Sequence, residues 1–311
     1  MMNKSLFTFA IVLCAALFAQ EKEAAEEKPQ APALDFATAR FDWKADGVEI
    51  YPQARIAKVE TSIPRIQKVN AVRIDLSDPK IGFCAPRKAE GYGNPMPDFP
   101  SAIIRTMRMR TVEFMRIARQ PISEGGYGMN MIVASNSNPW TPFQKPWNHK
   151  FADKLGLIVD RGELVCEGNG YAAFIVTKDR KFLFDTPGKD YDISNVEYAV
   201  AGFSFCLRDG KEEGAEDKHP RTGYGLSADR RYFVIVTIDG RQQGYSEGCT
   251  VKEVGLWLRY FGCSDGINMD GGGSTTLVYY DKKAEKIVKM NHQANGAERS
   301  NGGNFGIVLL P

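Results

Sequence analysis

Ser264-Asp265-Gly266-Ile267-Asn268-Met269-Asp270-Gly271-Gly272-Gly273-Ser274-Thr275-Thr276-Leu277-Val278 runs from a strand pattern into a polar turn without a break. Ile267 and Met269 alternate with Asn268 and Asp270, the period of a half-buried strand, so Asn268 and Asp270 are expected to leave the backbone on one face. The three glycines that come next carry no Cβ and tolerate positive φ, so a ligand or another backbone can approach the carboxylate closely. Ser274, Thr275 and Thr276 offer hydroxyls before an apolar run resumes at Leu277. A plain turn needs one or two glycines; three of them among a carboxyamide, a carboxylate and three hydroxyls read as a cradle.

The segments before it are organised to deliver that stretch. Thr250 and Glu253 have capping-box spacing, Val251, Val254, Leu258 and Phe261 form a helical stripe, and Gly262 stands where a helix stops. Tyr232 to Ile238 is almost continuously apolar, as a central strand buried on both faces would be, and Asp239-Gly240 closes it. This order of strand, turn, helix and strand predicts that Asp239 lies near Asp270. In His219-Pro220-Arg221-Thr222-Gly223, Arg221 sits just before a turn, where its planar fork could hold a phosphate or carboxylate or simply make a surface salt bridge. After the cradle, Leu277 to Tyr280 and Ile287 to Met290 read as a hairpin, and Glu298-Arg299 precede a last strand from Phe305 to Leu310. Glu298 is a third candidate carboxylate.

Further toward the N-terminus, Val69 to Leu76 reads as a strand, followed by a proline-punctuated loop up to residue 100. A helix is predicted over Ser101 to Arg119, ended by Pro121 and carrying Arg105, Arg108, Arg110, Arg116 and Arg119, either as a solvated face or as an anion-binding one. Met129 to Ala134 reads as a strand and Ser135 to Trp140 as a polar turn, with Asn136 in it. Pro142, Phe143, Pro146, Trp147, Asn148 and His149 then mix rings with amides, which suits a sugar as well as a surface loop. Hairpins are expected over residues 155–166 and 172–184.

Composition narrows the classes. Lys plus Arg number 40 against 38 Asp plus Glu, and a net charge of +2 argues against nucleic acid as a partner. Lys4 and the apolar run Leu6 to Leu17 read as an export signal over residues 1–19, so the mature protein is expected in the periplasm or outside the cell, with no stable membrane insertion once the signal is removed. Cys14 could suggest lipidation, but Leu13 before it is bulky where a small residue is wanted. Residues 20–35, rich in Glu, Lys, Ala and Pro, read as a flexible linker, leaving 36–311 as the folded domain. Without Cys14 five cysteines remain, so at least one thiol is free. Cys249 and Cys263 flank the predicted helix about 20 Å apart, too far for a bridge. Two relaxed Gly-x-Gly-x-x-Ala matches, at Gly223 and Gly168, do not join a strand to a helix as dinucleotide binding requires. Neither a His-x-x-x-His pair nor a Gly-x-Ser-x-Gly elbow occurs.

His219-Pro220-Arg221-Thr222, the run Thr237 to Ser246 and the run Asn268 to Thr276 together resemble the phosphodiester glycosidase family, with weaker likeness at Val72 to Leu76, Asn136 and Glu298-Arg299. The resemblance spans roughly Val69 to Pro311. It implies a single catalytic domain of α+β class, with mixed, largely antiparallel sheets and a few packed helices. It also implies hydrolysis of the bond between a sugar C1 and a phosphate. The turn after Asn136 departs from the commoner Asn-Gly form.

A phosphate monoester leaves readily, its relevant pKa being about 6. Such a site therefore has to supply a cation for the phosphate and a carboxylate for water or for charge developing at C1. Asp270 is the expected base or nucleophile, Asp239 and Glu298 are candidates for a second carboxylate, and Arg221 is expected on the phosphate with His219 beside it. Asn136, Asn268, Ser274 and Thr275 are expected to orient the sugar, with Thr222, Gly271, Gly272, Gly273, Arg241 and Arg299 as further substrate contacts within the matching motifs. The same oxygens could hold a calcium ion. A carbohydrate-binding protein without turnover, and sugar transfer in exopolysaccharide metabolism, remain alternatives.

Overall fold

Tyr232–Ile238 is buried at every position but its first. It pairs antiparallel with Gln67–Asp75 on one side and Arg221–Leu226 on the other. Together with Asp265–Asn268 and four further strands they build an eight-stranded sheet. Alternate residues of the run serve two cores. Phe233 and Ile235 enter one shared with two other sheets, while Val234, Val236 and Ile238 pack under a helix. A fully apolar strand thus arises here without parallel pairing, because both faces of an antiparallel sheet are covered. The computed structural model describes residues 33–143 and 149–311. The predicted signal segment, most of the linker, Cys14, Pro146, Trp147 and Asn148 lie outside them.

The helix over that face is Val251–Tyr260 (α2), and its start is the predicted capping box. Thr250 Oγ1 accepts from the Glu253 amide at 3.1 Å, and Glu253 Oε2 accepts from the Thr250 amide at 2.8 Å, an arrangement worth about 1 kcal/mol. Gly225 faces the helix so closely that a Cβ there would stand 2.9 Å from Leu258. The glycines at 223 and 225 are thus packing devices inside a strand. All five cysteines in the described residues are free and buried.

Two five-stranded antiparallel sheets complete the scaffold. One runs Lys286–Lys289, Leu277–Asp281, Asn130–Asn136, Asn304–Leu309, Ile81–Cys84; the other runs Glu163–Cys166, Ile158–Asp160, Val196–Ala201, Ala173–Thr177, Phe182–Asp185. The three large sheets meet at phenylalanines. Phe174 stacks on Phe233 at 4.5 Å, Phe83 on Phe305 at 5.5 Å, and Phe174 meets Phe305 edge-on at 5.9 Å. The result is the α+β, mainly antiparallel class that the resemblance implies.

The long helix predicted from Ser101 forms only as Thr111–Arg119 (α1). Ahead of it Phe99–Ile103 and Thr106–Met107 are strands. Ala102, Ile104, Thr106 and Arg108 are buried in alternation with more exposed neighbours, a period of two that the helix-favouring Arg and Met residues disguise. Of the five arginines only Arg116 and Arg119 therefore ride on the helix. Arg105 is held by Asp153 at 2.9 Å and Glu167 at 2.8 Å, and Arg108 stacks on Trp140 at 4.2 Å. The predicted loop up to residue 100 likewise contains the buried strand Ile81–Cys84. Among the described residues no helix is long and apolar enough to cross a membrane.

Candidate active site

Strand register brings three polar segments to one end of the eight-stranded sheet. Arg221 opens a strand, rather than preceding a turn, and pairs with Ile238, so Asp239 and Arg241 continue alongside it. On the other side Gly223 pairs with Asn268, and the Met269 amide donates to the Thr222 carbonyl at 2.9 Å. Asp270 therefore emerges beside Pro220 and Arg221. Asn136 reaches across from the second sheet. Its Nδ2 donates to the Asp270 carbonyl at 2.6 Å, and its Oδ1 accepts from Thr222 Oγ1 at 2.8 Å and from the Thr276 amide at 3.0 Å. Asn136 and Thr222, expected on the sugar, are engaged within the protein and clamp the cradle to two sheets.

Each glycine of the cradle has its own steric reason. A Cβ at Gly271 would stand 2.8 Å from the Pro220 carbonyl oxygen, and Gly272 has φ +61 with its amide donating to that same oxygen at 2.8 Å. A Cβ at Gly272 would also lie 3.3 Å from Arg241 Nη1, and one at Gly273 would lie 2.6 Å from Arg299 Nη2. Two guanidinium groups rest directly against the turn.

Asp270 is half-buried as a residue, but its carboxyl end is enclosed. Oδ1 accepts from the Gly271 amide at 2.9 Å. Oδ2 and the Ser274 hydroxyl are both buried without a hydrogen-bond partner among the described residues. Burial pushes this carboxyl above the ordinary aspartate value, against the opposing pull of Ser274, the Gly271 amide, Arg299 and Lys154. Lys154 is the residue that sequence reasoning missed. It ends the strand Phe151–Lys154 and is 4% exposed, and its Nζ has no hydrogen-bond partner among the described residues. Burial pulls its ammonium down to about 7, while Asp270 works in the opposite direction. A lysine followed by a leucine carries no local signal of such a position.

Ser137 Oγ, Asn138 Oδ1, Asn268 Oδ1 and Thr275 Oγ1 are likewise buried without a partner among the described residues. A buried polar atom normally finds one, and leaving it without costs about 1–3 kcal/mol. Ser137 belongs directly to the Asp270 surroundings, since its carbonyl accepts from the Asp270 amide at 3.0 Å. A Cβ at Gly303 would stand 2.8 Å from Ser137 Oγ and 3.0 Å from Lys154 Nζ, so these two polar groups line one small space.

On the Pro220 side, Arg241 Nη2 and His219 Nδ1 are 3.1 Å apart, and burial together with Arg241 and Arg221 holds the imidazole below its usual range. Arg221 donates through Nε to the Cys249 carbonyl at 3.3 Å and through Nη2 to that of Asp217 at 2.6 Å. Arg241 interacts with both Arg221 and Arg299. The cations that act on Asp270 itself are Arg299 and Lys154, with Arg241 bridging toward Arg221.

The other two candidate carboxylates point elsewhere. Glu298 Oε1 accepts from the Val112 amide at 3.2 Å, a cap supplied from a distance to the N-terminus of α1, where the exposed amides and the helix dipole favour a negative group. Burial raises it, and the charges acting on it are Lys289 and Arg110. Asp239 receives the His292 amide on both oxygens at 3.1 Å and is pushed up to about 6 by burial. Among the described residues no group of three or more His, Cys, Asp or Glu side chains is placed to hold a metal ion. A lone enclosed carboxylate beside an arginine and a lysine does not fit calcium, which takes six to eight oxygen ligands.

The sequence profile of the phosphodiester glycosidase family matches residues 129–308, the part of the chain that holds Lys154, Arg221, Arg241, Asp270 and Arg299. The chain belongs to that family. Two solved structures share the fold of this phosphodiester glycosidase domain. One is the zebrafish N-acetylglucosamine-1-phosphodiester alpha-N-acetylglucosaminidase catalytic domain auto-inhibited by its pro-peptide, at 16% identity over 86% of each chain with a TM-score of 0.57. The other is a hypothetical protein from Synechocystis, at 11% identity over 85% of this chain and 63% of that one, with a TM-score of 0.53. No curated protein matches the sequence.

Proposed function

We propose that the protein is a hydrolase that cleaves the bond between C1 of a sugar and phosphate in a sugar 1-phosphodiester, acting outside the cytoplasm. The observation that carries this reading is the single enclosed carboxylate of Asp270, set among Lys154, Arg299 and Arg241 in surroundings rich in unsatisfied polar atoms. An excess of cations around one carboxylate suits an anionic substrate. Polar atoms without protein partners suit a ligand with many hydroxyls. Family membership and the substrate in the zebrafish enzyme's name agree with this, and the apolar run near the N-terminus supports export.

In this mechanism Asp270 takes a proton from water as the water oxygen bonds to C1. The C1–O bond to phosphate breaks, and the electron pair leaves on a phosphate monoester stabilised by the guanidinium groups of Arg241, Arg299 and Arg221. Two carboxylates are unnecessary because this leaving group departs without strong acid assistance.

Incubating the mature protein with a panel of sugar 1-phosphodiesters should release free sugar. Asp270→Asn should lower turnover about 100-fold or more, with a lowered thermal midpoint because the enclosed Lys154 and Arg299 lose the charge that faces them. Binding without release would instead identify a carbohydrate-binding protein, and formation of a new glycoside a transferase.

A further inference from the structure

We propose that Lys154 is a positioning residue for this reaction: its ammonium, enclosed beside Asp270, keeps that carboxylate ionised and therefore able to act as the base. The inference rests on the hydrolytic reading above. It concerns a residue outside the glycine cradle and outside the arginine-bearing motifs.

The geometry is specific to a lysine that is retained for its charge. Along Phe151–Lys154 burial alternates, and Ala152 and Lys154 are the inward pair. The lysine pairs with Trp140 across the ladder. Its tip runs along the backbone of the Asn301–Gly303 turn, where a Cβ at Gly302 would stand 2.7 Å from Nζ and one at Gly303 3.0 Å. Two consecutive residues without side chains thus make room for one ammonium. Enclosing an ammonium without a hydrogen-bond partner is costly, and an apolar side chain of similar length would fill the same space at no such cost. Packing alone does not account for a charge there.

A Cβ at Gly303 would also lie 2.8 Å from Ser137 Oγ, and the Ser137 carbonyl accepts from the Asp270 amide at 3.0 Å, so the ammonium lies in the surroundings of Asp270, and of the groups around it Asp270 is the one it serves. Asp270 comes from beyond the strand Asp265–Asn268, Cys166 from Glu163–Cys166, Arg108 from the segment before α1, and Asp153 from the lysine's own strand. Cys166 is pushed up to about 11 by burial and stays a neutral thiol. Arg108 repels and is occupied by the carbonyls of His149 at 2.9 Å and Ser300 at 3.0 Å. Asp153 is taken by Arg105 at 2.9 Å. From the Asp270 side the facing cations are Arg299 and Lys154. Burial drives both members of the pair toward neutrality, so each holds the other charged, and the productive state lies between the titration of Asp270 and that of Lys154 at about 7.

The test is Lys154→Met, with Lys154→Gln as the variant to use if methionine does not fold. Each is read by circular dichroism, by the pH profile of sugar release, and by carboxyl NMR titration of Asp270 assigned through Asp270→Asn. The expected result is a kcat reduced about 100-fold with KM changed less than about threefold. The acid limb of kcat/KM should move to higher pH and the basic limb near pH 7 should disappear, and the Asp270 titration should move up without substrate. A folded variant with full activity, or an Asp270 titration that does not move, overturns the proposal. The NMR measurement needs no turnover. If the unaltered protein releases sugar from no phosphodiester while the Asp270 titration still moves, the hydrolytic reading fails and the ionic coupling stands. If sugar is released and the titration is unmoved, the Lys154 proposal fails alone.

Discussion

Gly273→Ala separates activity from stability at the centre of the cradle. The new Cβ would lie 2.6 Å from Arg299 Nη2 and 2.8 Å from Cζ, whereas ordinary contact begins at about 3.4 Å, so the guanidinium has to retreat by about 0.8 Å. Gly273 is not among the positive-φ residues, so alanine adds no backbone strain. The atoms displaced are the end of a long side chain, and the loss of stability should stay below about 1 kcal/mol. A misplacement of about 1 Å in a group that holds the substrate can cost about 100-fold in rate. Sugar release by Gly273→Ala should therefore fall about 10- to 100-fold in kcat/KM, with a thermal midpoint within a few degrees of the parent. Gly272→Ala is the contrast, because its φ of +61 adds about 1–2 kcal/mol of backbone strain, and its midpoint should drop visibly. Undiminished kcat/KM in a folded Gly273→Ala would show that the position of Arg299 does not govern turnover. A loss of several kcal/mol would show that the arginine cannot retreat.

The carboxylates that point away from Asp270 give two further outcomes. Glu298→Ala should lose about 0.5–1 kcal/mol by removing the acceptor that caps α1 while sugar release stays within about threefold, and a 100-fold loss would return Glu298 to the chemistry. Asp239 is held at about 6 in the folded protein against a usual value of about 3.9. The folded state therefore binds this proton more tightly, and the stability it contributes is present below about pH 4 and lost as pH rises through 6. Asp239→Asn removes that dependence. The stability difference between parent and variant should change in the variant's favour by on the order of 2 kcal/mol between pH 4 and pH 7, measured by denaturant unfolding at each pH. A difference that does not vary with pH would refute the assignment.

What was legible in the sequence was whatever depends on neighbours along the chain. The apolar run Tyr232–Ile238 and the capping box at Thr250 and Glu253 each depend on a few successive residues and form as read, whereas the alternation in Ile267-Asn268-Met269 gives a strand that ends at Asn268 and is buried on both faces instead of half-buried. Motif likeness extended this to the family and to the polar segments around Asp270 and Arg221. Local pattern failed where tertiary pairing overrode helix preference, as over Ser101 to Arg110, where the strands Phe99–Ile103 and Thr106–Met107 stand in place of a helix.

Which side chains meet was decided by the tertiary structure alone. Glu298 and Arg299 are adjacent in the chain, yet one caps α1 and the other acts on Asp270. Lys154 acts electrostatically on Asp270 from a strand more than a hundred residues earlier, its tip lying in space left by Gly302 and Gly303. A side chain's direction is set by its strand's register against partners far away in sequence, and its charge state by how completely those partners exclude water. Neither quantity is a property of the residue or of its neighbours in the chain.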